Sequence, residues 1–269
     1  MIIDFHVHTF PDKIAKKALG KLADIAGIDP YTDGTAGDTV RKMDEAGIDR
    51  AVCLNIATRP GQENTINNCA AETNRQYGGR LIAFGSVHPD CEDPLAELDR
   101  IVSLGIKGVK LHPDYQGFMS DDKKLFPLYD YLSGTDLIVT FHSGWDCYSP
   151  ELVHNPPERA LKVAKAFPKL KMCLAHFGAL RMWEEVYDLL AGTENIVFDT
   201  SMAASFGLPE ETARKIISRH GEDRILLGSD CPWEDPAASV RYVESLGLPD
   251  GTTEKILGGN AARLLKLDL

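Results

Sequence analysis

The 269-residue sequence predicts a single (β/α)8 TIM-type barrel of the α/β class, on three observations. Eight short runs rich in Ile, Val, Leu and Phe recur along the chain, nearly continuous in apolar character, as strands of a parallel sheet buried on both faces must be. Helix-forming segments separate them without a polar linker. No Gly-x-Gly-x-x-Gly follows the first run, which weighs against a doubly wound dinucleotide-binding sheet. Such a barrel takes about 250 residues, so the expected domain is 1–269.

The first strand is expected over Ile2–His8, and the long stretch Thr9 to Thr39 behind it as a cover over the barrel mouth. Arg50–Ile56 is the second strand, and helix Gln62–Tyr77 follows, stopped by Gly78-Gly79. After strand Leu81–Val87, Asp93 caps helix Pro94–Leu104, which has Pro in its first turn and stops at Gly105. Strand Lys107–His112 leads to helix Asp121–Leu132, in which Pro127 is expected to make a kink. Strand Leu137–His142 precedes helix Pro157–Phe167, and strand Leu170–His176 precedes helix Arg181–Leu190. Strand Asn195–Thr200 precedes helix Pro209–His220, and strand Ile225–Asp230 precedes helix Pro236–Leu246; Gly221 and Gly247 end these two helices. Thr253–Leu257 and Asn260–Leu267 are two short helices expected to pack against the outside.

Composition excludes several functions. With 29 Lys+Arg against 40 Asp+Glu the net charge is −11, which argues against a nucleic-acid binder that works by neutralising phosphates. An apolar content of 43% is too high for a disordered chain. The longest apolar stretch, Leu137 to Phe141, is far short of the ~20 residues that cross a bilayer. The opening Met1-Ile2-Ile3-Asp4 has no basic leader region, and the six cysteines contain no Cys-x-x-Cys pair, so reduced thiols in a cytoplasmic protein are expected. The partner expected is a small molecule, neither a nucleic acid nor a membrane.

Parallel barrels carry their chemistry at the C-terminal ends of the strands. Six of the eight histidines lie in or beside those ends: His6, His8, His88, His112, His142 and His176. If the ends take up about a tenth of a barrel, chance would put fewer than one there. Residues two apart on a strand share a face, so His6 and His8 aim together into the mouth, as do Lys110 and His112. A single buried histidine is often satisfied by a backbone carbonyl. The joint set His6, His8, His142 and Asp230 is different, because four polar groups converging in a low-dielectric mouth are costly unless a cation neutralises them. The N/O donor set favours one divalent metal, zinc ahead of manganese, iron or nickel. Trp145, Tyr148, Trp183 and Trp233 follow strand ends and are candidates to stack on a planar substrate; Arg181 and Arg59 are candidates to clamp a carboxylate. His154 and His220 read as surface residues.

Several motifs resemble one family. Met1-Ile2-Ile3-Asp4-Phe5-His6-Val7-His8 resembles the opening His-x-His strand of the amidohydrolase superfamily. Gly85-Ser86-Val87-His88-Pro89, Gly108-Val109-Lys110-Leu111-His112-Pro113, His142-Ser143-Gly144, Ala175-His176-Phe177-Gly178, Leu227-Gly228-Ser229-Asp230-Cys231-Pro232-Trp233 and Gly259-Asn260-Ala261-Ala262-Arg263-Leu264-Leu265 are similar to later motifs of its amidohydrolase-related branch, which includes the aminocarboxymuconate semialdehyde decarboxylases. The resemblance implies His6, His8, His142 and Asp230 as metal ligands, Asp230 also as proton acceptor, and His176 as catalytic acid/base and oxyanion stabiliser. It implies a strand-four Lys110 that stays a cation and binds a substrate carboxylate with His112 beside it; a carboxylated Lys110 bridging two metals is the less favoured arrangement. A homodimer is a family-level expectation. The activity expected first is metal-dependent hydrolysis of a small carboxylated or cyclic molecule. Non-oxidative decarboxylation on the same scaffold is the alternative, and a metal-free barrel with a binding role the second alternative.

Overall fold

A computed structural model describes residues 1–267. Its strands are β1 (Ile3–Val7), β2 (Arg50–Leu54), β3 (Leu81–Phe84), β4 (Gly108–Leu111), β5 (Ile138–Phe141), β6 (Lys171–Leu174), β7 (Ile196–Asp199) and β8 (Ile225–Leu226). They pair in parallel and in chain order, as the ladders β1-β2-β3 and β4 to β8. Backbone bonds close the ring. Gly85 N–H donates to Gly108 O at 2.9 Å and Lys110 N–H to Gly85 O at 2.9 Å, joining β3 to β4. Phe5 N–H donates to Leu227 O at 2.7 Å, Asp230 N–H to His6 O at 2.7 Å and His8 N–H to Cys231 O at 2.6 Å, joining β8 to β1. The result is the predicted (β/α)8 barrel.

The barrel is apolar below and polar above, and this gradient positions the site. Ile3, Phe5, Val52, Leu54, Ile82, Phe84, Ile138, Cys173 and Leu226 form one buried cluster with Ala261, Ala262 and Leu265. Phe5 meets Phe84 edge to face at 5.8 Å. Gly108 is the residue this packing allows on β4, because a Cβ there would stand 2.3 Å from the Phe84 ring and 2.6 Å from Ile138 O. A larger cluster fills the layer between strands and helices.

The strands end earlier than the apolar runs suggest. His112 and His142 lie one residue beyond the end of their strands, His176 two and Asp230 four. His176 and Asp230 have φ of 62° and 70°, a left-handed backbone that costs a side-chain-bearing residue about 1–2 kcal/mol. That conformation turns each side chain back over the mouth.

Helices Glu63–Tyr77, Pro94–Ser103, Pro157–Ala166, Glu210–His220 and Pro236–Ser245 lie within one residue of expectation at either end. Other expectations are corrected. The Thr9–Thr39 cover contains helix Asp12–Ala26 and the start of helix Ala36–Glu45. Its run of Ala, Leu and Lys favours helix, and Thr35 caps the second helix by accepting Asp38 N–H at 3.2 Å. Pro127 makes no kink: a 3-10 turn, Lys123–Leu125, precedes helix Phe126–Ser133, and the proline sits in its first turn, where a missing N–H is harmless. Arg181, at φ 63°, stays outside the next helix, which is a short turn Trp183–Glu185 widening to a π turn Val186–Leu190. The closing segment is one helical stretch, Asp250–Glu254, a π turn Lys255–Gly259 and Asn260–Leu264, and its Ala261 and Ala262 pack with the barrel-interior residues rather than on the outside.

Candidate metal centre and active site

Three donors meet at the mouth. Asp230 Oδ1 lies 3.0 Å from His8 Nε2 and 3.2 Å from His6 Nε2, and the two imidazole nitrogens are 3.3 Å apart. Their protonation follows from what stands behind them. His6 Nδ1 faces Asp199 Oδ2 at 2.9 Å, and His8 Nδ1 faces Leu54 O at 2.9 Å. Both partners are acceptors, so each ring carries its proton on Nδ1 and turns the Nε2 lone pair toward Asp230. Burial, then the nearby Lys110 amine, holds His6 well below its ordinary value, in keeping with a neutral ring. Positive charge on His6 and His8 would offset the upward push of burial on the Asp230 carboxyl; with both rings neutral, that role falls to a bound cation. Asp230 Oδ1 is buried without a hydrogen-bond partner. Two lone pairs and a carboxylate oxygen thus crowd one point. Donors about 3.3 Å apart are what a tetrahedral ion with bonds of about 2.0–2.1 Å requires. The residues present fit a divalent metal, with a coordination position left open.

Side chains behind the donors were not singled out from the sequence. Asp199, fully buried, faces His6 with Oδ2, while its Oδ1 accepts the Ser201 hydroxyl and the backbone N–H of His176 at 3.2 Å. Asp4 accepts His6 N–H at 3.0 Å and Ser229 N–H at 2.9 Å, so one carboxylate ties β1 to the turn that carries Asp230. Burial pushes Asp4 up to about 7. An Asp before a His-x-His pair or at the end of a strand is the only signal that could have found them, and it is weak.

A relay runs away from this centre. Ser201 gives its hydroxyl proton to Asp199, so its oxygen accepts from His176 Nδ1 at 2.9 Å; His176 Nε2 then accepts from His142 Nδ1 at 3.0 Å. Burial, then His142, lowers His176 to about 3, and burial lowers His142 to about 4. The structure places His142 outside the group of His6, His8 and Asp230. His142 belongs to a second group with His112 and Asp146.

Lys110 and His112, expected side by side, serve different neighbourhoods. Lys110 is fully buried with Nζ 3.3 Å from His6 Nε2, and burial lowers its amine from the ordinary range. His112 stacks between Tyr115 and His142, at ring separations of 3.7 and 4.3 Å. On the rim, the Arg181 guanidinium lies 3.9 Å over the Trp145 ring and 4.9 Å over Phe206. Trp183 donates its indole N–H to His176 O at 3.1 Å, a structural tie. Arg59 is exposed, and His88 is buried outside both groups, accepting Asp90 N–H at 3.1 Å.

Neither remaining histidine is a plain surface residue. His154 faces Asp114 at 2.9 Å. His220 is buried, accepting Gly192 N–H at 3.1 Å and donating to Ile196 O at 3.0 Å. A cavity of about 330 Å3 lined by Ile138, Leu170, Met172, Val197 and Leu264 opens at the starts of the strands, the end opposite the ionisable groups.

The family model described as Amidohydrolase (Amidohydro_2) matches residues 3–267. A curated relative from Dictyostelium discoideum, described as 2-amino-3-carboxymuconate-6-semialdehyde decarboxylase, is 26% identical over 239 residues, covering 76% of this chain and 66% of the relative. The chain therefore spans just under two thirds of that relative's length. Among solved structures, an uncharacterized TIM-barrel protein from Bordetella bronchiseptica superposes with a TM-score of 0.79 at 22% identity, over 98% of both chains. A dihydroxybenzoic acid decarboxylase from Polaromonas sp. JS666, with bound manganese and 2-nitroresorcinol, gives 0.73 at 19% identity, over 98% of this chain and 96% of that one. At such identities the two structures bear on the fold alone.

Proposed function

The chain belongs to the amidohydrolase family, and from that premise we propose that it is a metal-dependent, non-oxidative decarboxylase of a small carboxylated molecule. The observation that carries the reading is the convergence of His6 Nε2, His8 Nε2 and Asp230 Oδ1 within 3.0–3.3 Å. The description of the curated relative as a decarboxylase supports this activity ahead of the hydrolysis that the motifs alone put first.

His6, His8 and Asp230 hold the metal, and the two-nitrogen, one-oxygen set suits Zn2+ or Mn2+. His142 is the expected further ligand, one imidazole away beyond His176. When bound, such an ion supplies a Lewis acid that offsets negative charge developing on the substrate. Loss of CO2 breaks a C–C bond and leaves its electron pair on carbon, and one proton must arrive there. His176 is the group we assign to that proton: Ser201 fixes its Nδ1, and Nε2, which accepts from His142 Nδ1, takes that proton and passes it to the carbon. Asp230, held ionised, is the base of the site. Lys110, buried beside His6, meets the substrate carboxylate, and His112, Trp145 and Arg181 shape the rim around it. His6 and His176 are buried, so these charges act at low dielectric.

The test is CO2 release from a panel of unsaturated and aromatic carboxylic acids by metal-reconstituted protein. His6→Ala and Asp230→Asn should each lose at least ~100-fold in activity together with metal affinity, with an unchanged circular dichroism spectrum. Cleavage of esters, lactones or amides with no CO2 from any acid would return the assignment to hydrolysis. Full activity in either variant would remove the metal site from the mechanism.

A further inference from the structure

Arg181, on the rim of the mouth, is held by four loops and has no acid partner. Gly144, at φ 87°, lets the chain after β5 run against the chain that leads into Arg181: a Cβ there would stand 2.1 Å from Leu180 N. Trp145 N–H donates to Leu180 O at 3.0 Å and Leu180 N–H to Ser143 O at 2.9 Å, so the two loops pair backbone to backbone. That pairing sets Trp145 beside Arg181, whose guanidinium carbon lies 3.9 Å from the ring centre. Phe206, from the chain after β7, meets the same cation at 4.9 Å and stands 6.3 Å from Trp145. Glu234, buried after β8, accepts Ser205 N–H at 2.8 Å and so fixes the residue before Phe206. Arg181 itself keeps φ at 63°, a left-handed backbone that is strained for any residue with a side chain. Cation–π contacts hold its charge without consuming an N–H. The guanidinium makes no ion pair and no hydrogen bond among the described residues, which leaves its N–H donors to a ligand.

We propose that Arg181 is the specificity-determining residue of the mouth and that it binds a second carboxylate, which makes the substrate a dicarboxylic acid. This rests on the decarboxylase reading, in which Lys110 meets the carboxylate beside the metal. Lys110 lies within β4 and is fully buried, whereas Arg181 stands seven residues past the end of β6 and is exposed. The two cations therefore stand at different depths, one for each acid group. A planar guanidinium meets a carboxylate with two parallel N–H bonds, which an ammonium cannot do. Rigidity adds to the selectivity. The loops and the stacked rings hold the guanidinium before the ligand arrives, so little side-chain freedom is lost on binding. A monocarboxylic acid fills the Lys110 end alone and leaves the rim cation unused.

The test is calorimetric titration of the Mn2+-reconstituted protein with benzoate, isophthalate and terephthalate, the two diacids differing in the span between their acid groups. At least one diacid should bind ~10-fold or more tightly than benzoate in the wild type. Arg181→Met and Arg181→Gly should bring that diacid to within ~2-fold of benzoate, and Arg181→Lys should fall between, because it keeps the charge and loses the fork. Glycine suits the left-handed backbone at this position, so Arg181→Gly decides the matter if circular dichroism shows that Arg181→Met has lost its fold. A wild type that binds neither diacid more tightly than benzoate overturns the proposal, as does a preference kept in Arg181→Gly. Binding is read without turnover, so the two readings separate: a diacid held through Arg181 that yields no CO2 supports the rim site and counts against decarboxylation.

Discussion

At the scale of single residues, the chemistry is decided by which nitrogen carries a proton. The sequence places His6 and His8 two apart on a strand, and that spacing is enough to aim both at one point. It does not say that Asp199, 193 residues away, takes the Nδ1 proton of His6 and so presents Nε2 as a donor. An aspartate at a strand end is ordinary in a sequence and becomes informative only when its partner is known. Asp199→Asn keeps the shape but removes the charge behind His6. We expect metal affinity to fall ~10–100-fold, read by competition with a chelator, while the melting temperature of the metal-free protein stays within a few degrees. Unchanged affinity would mean that His6 does not depend on this partner. Lys110 and His112 show the opposite limit: alternation along the strand put them together, yet one side chain reaches His6 and the other stacks on His142.

At the scale of elements, local signals served well where they were local. Proline in a first turn and glycine after a last one mark helix ends through φ alone, so five of the helices were legible to within a residue. What local signals missed was the two helices in the segment after β1, which was expected only as a cover over the mouth, and the meaning of His220. This residue ends helix Glu210–His220 and ties it to β7 through Ile196 O, with its ring stacked on Phe198 at 4.0 Å. Burial, then Arg224, lowers His220 from its ordinary 6.5 to about 3. The unfolded chain therefore binds a proton over that interval that the folded one refuses, so stability is present above pH 6.5 and is lost as pH falls toward 3. His220→Gln should flatten this dependence by up to one proton, about 1.4 kcal/mol per pH unit, in urea denaturation at a series of pH values. An unaltered slope would contradict the assignment.

At the scale of the molecule, the barrel gathers groups from every part of the chain around one mouth, and a cation bound there stabilises the native state alone. At a thousand times its dissociation constant an ion adds about 4 kcal/mol, which for a chain of this size is roughly 10 °C in melting temperature. Scanning calorimetry of metal-loaded protein before and after chelation should show a fall of that order, restored by adding Mn2+ or Zn2+. A melting temperature indifferent to chelation in protein that carried metal beforehand would mean the ion is not held by the folded barrel. No helix among the described residues is long and apolar enough to cross a membrane. The barrel and its polar mouth are legible in the order of residues alone, because strand and helix periodicity and the C-terminal placement of histidines are properties of neighbours along the chain. Which donors share a point, which proton each histidine keeps and where His142 turns emerge only in the folded chain, because they depend on contacts at about 3 Å between residues far apart in sequence, and no spacing rule reaches that far.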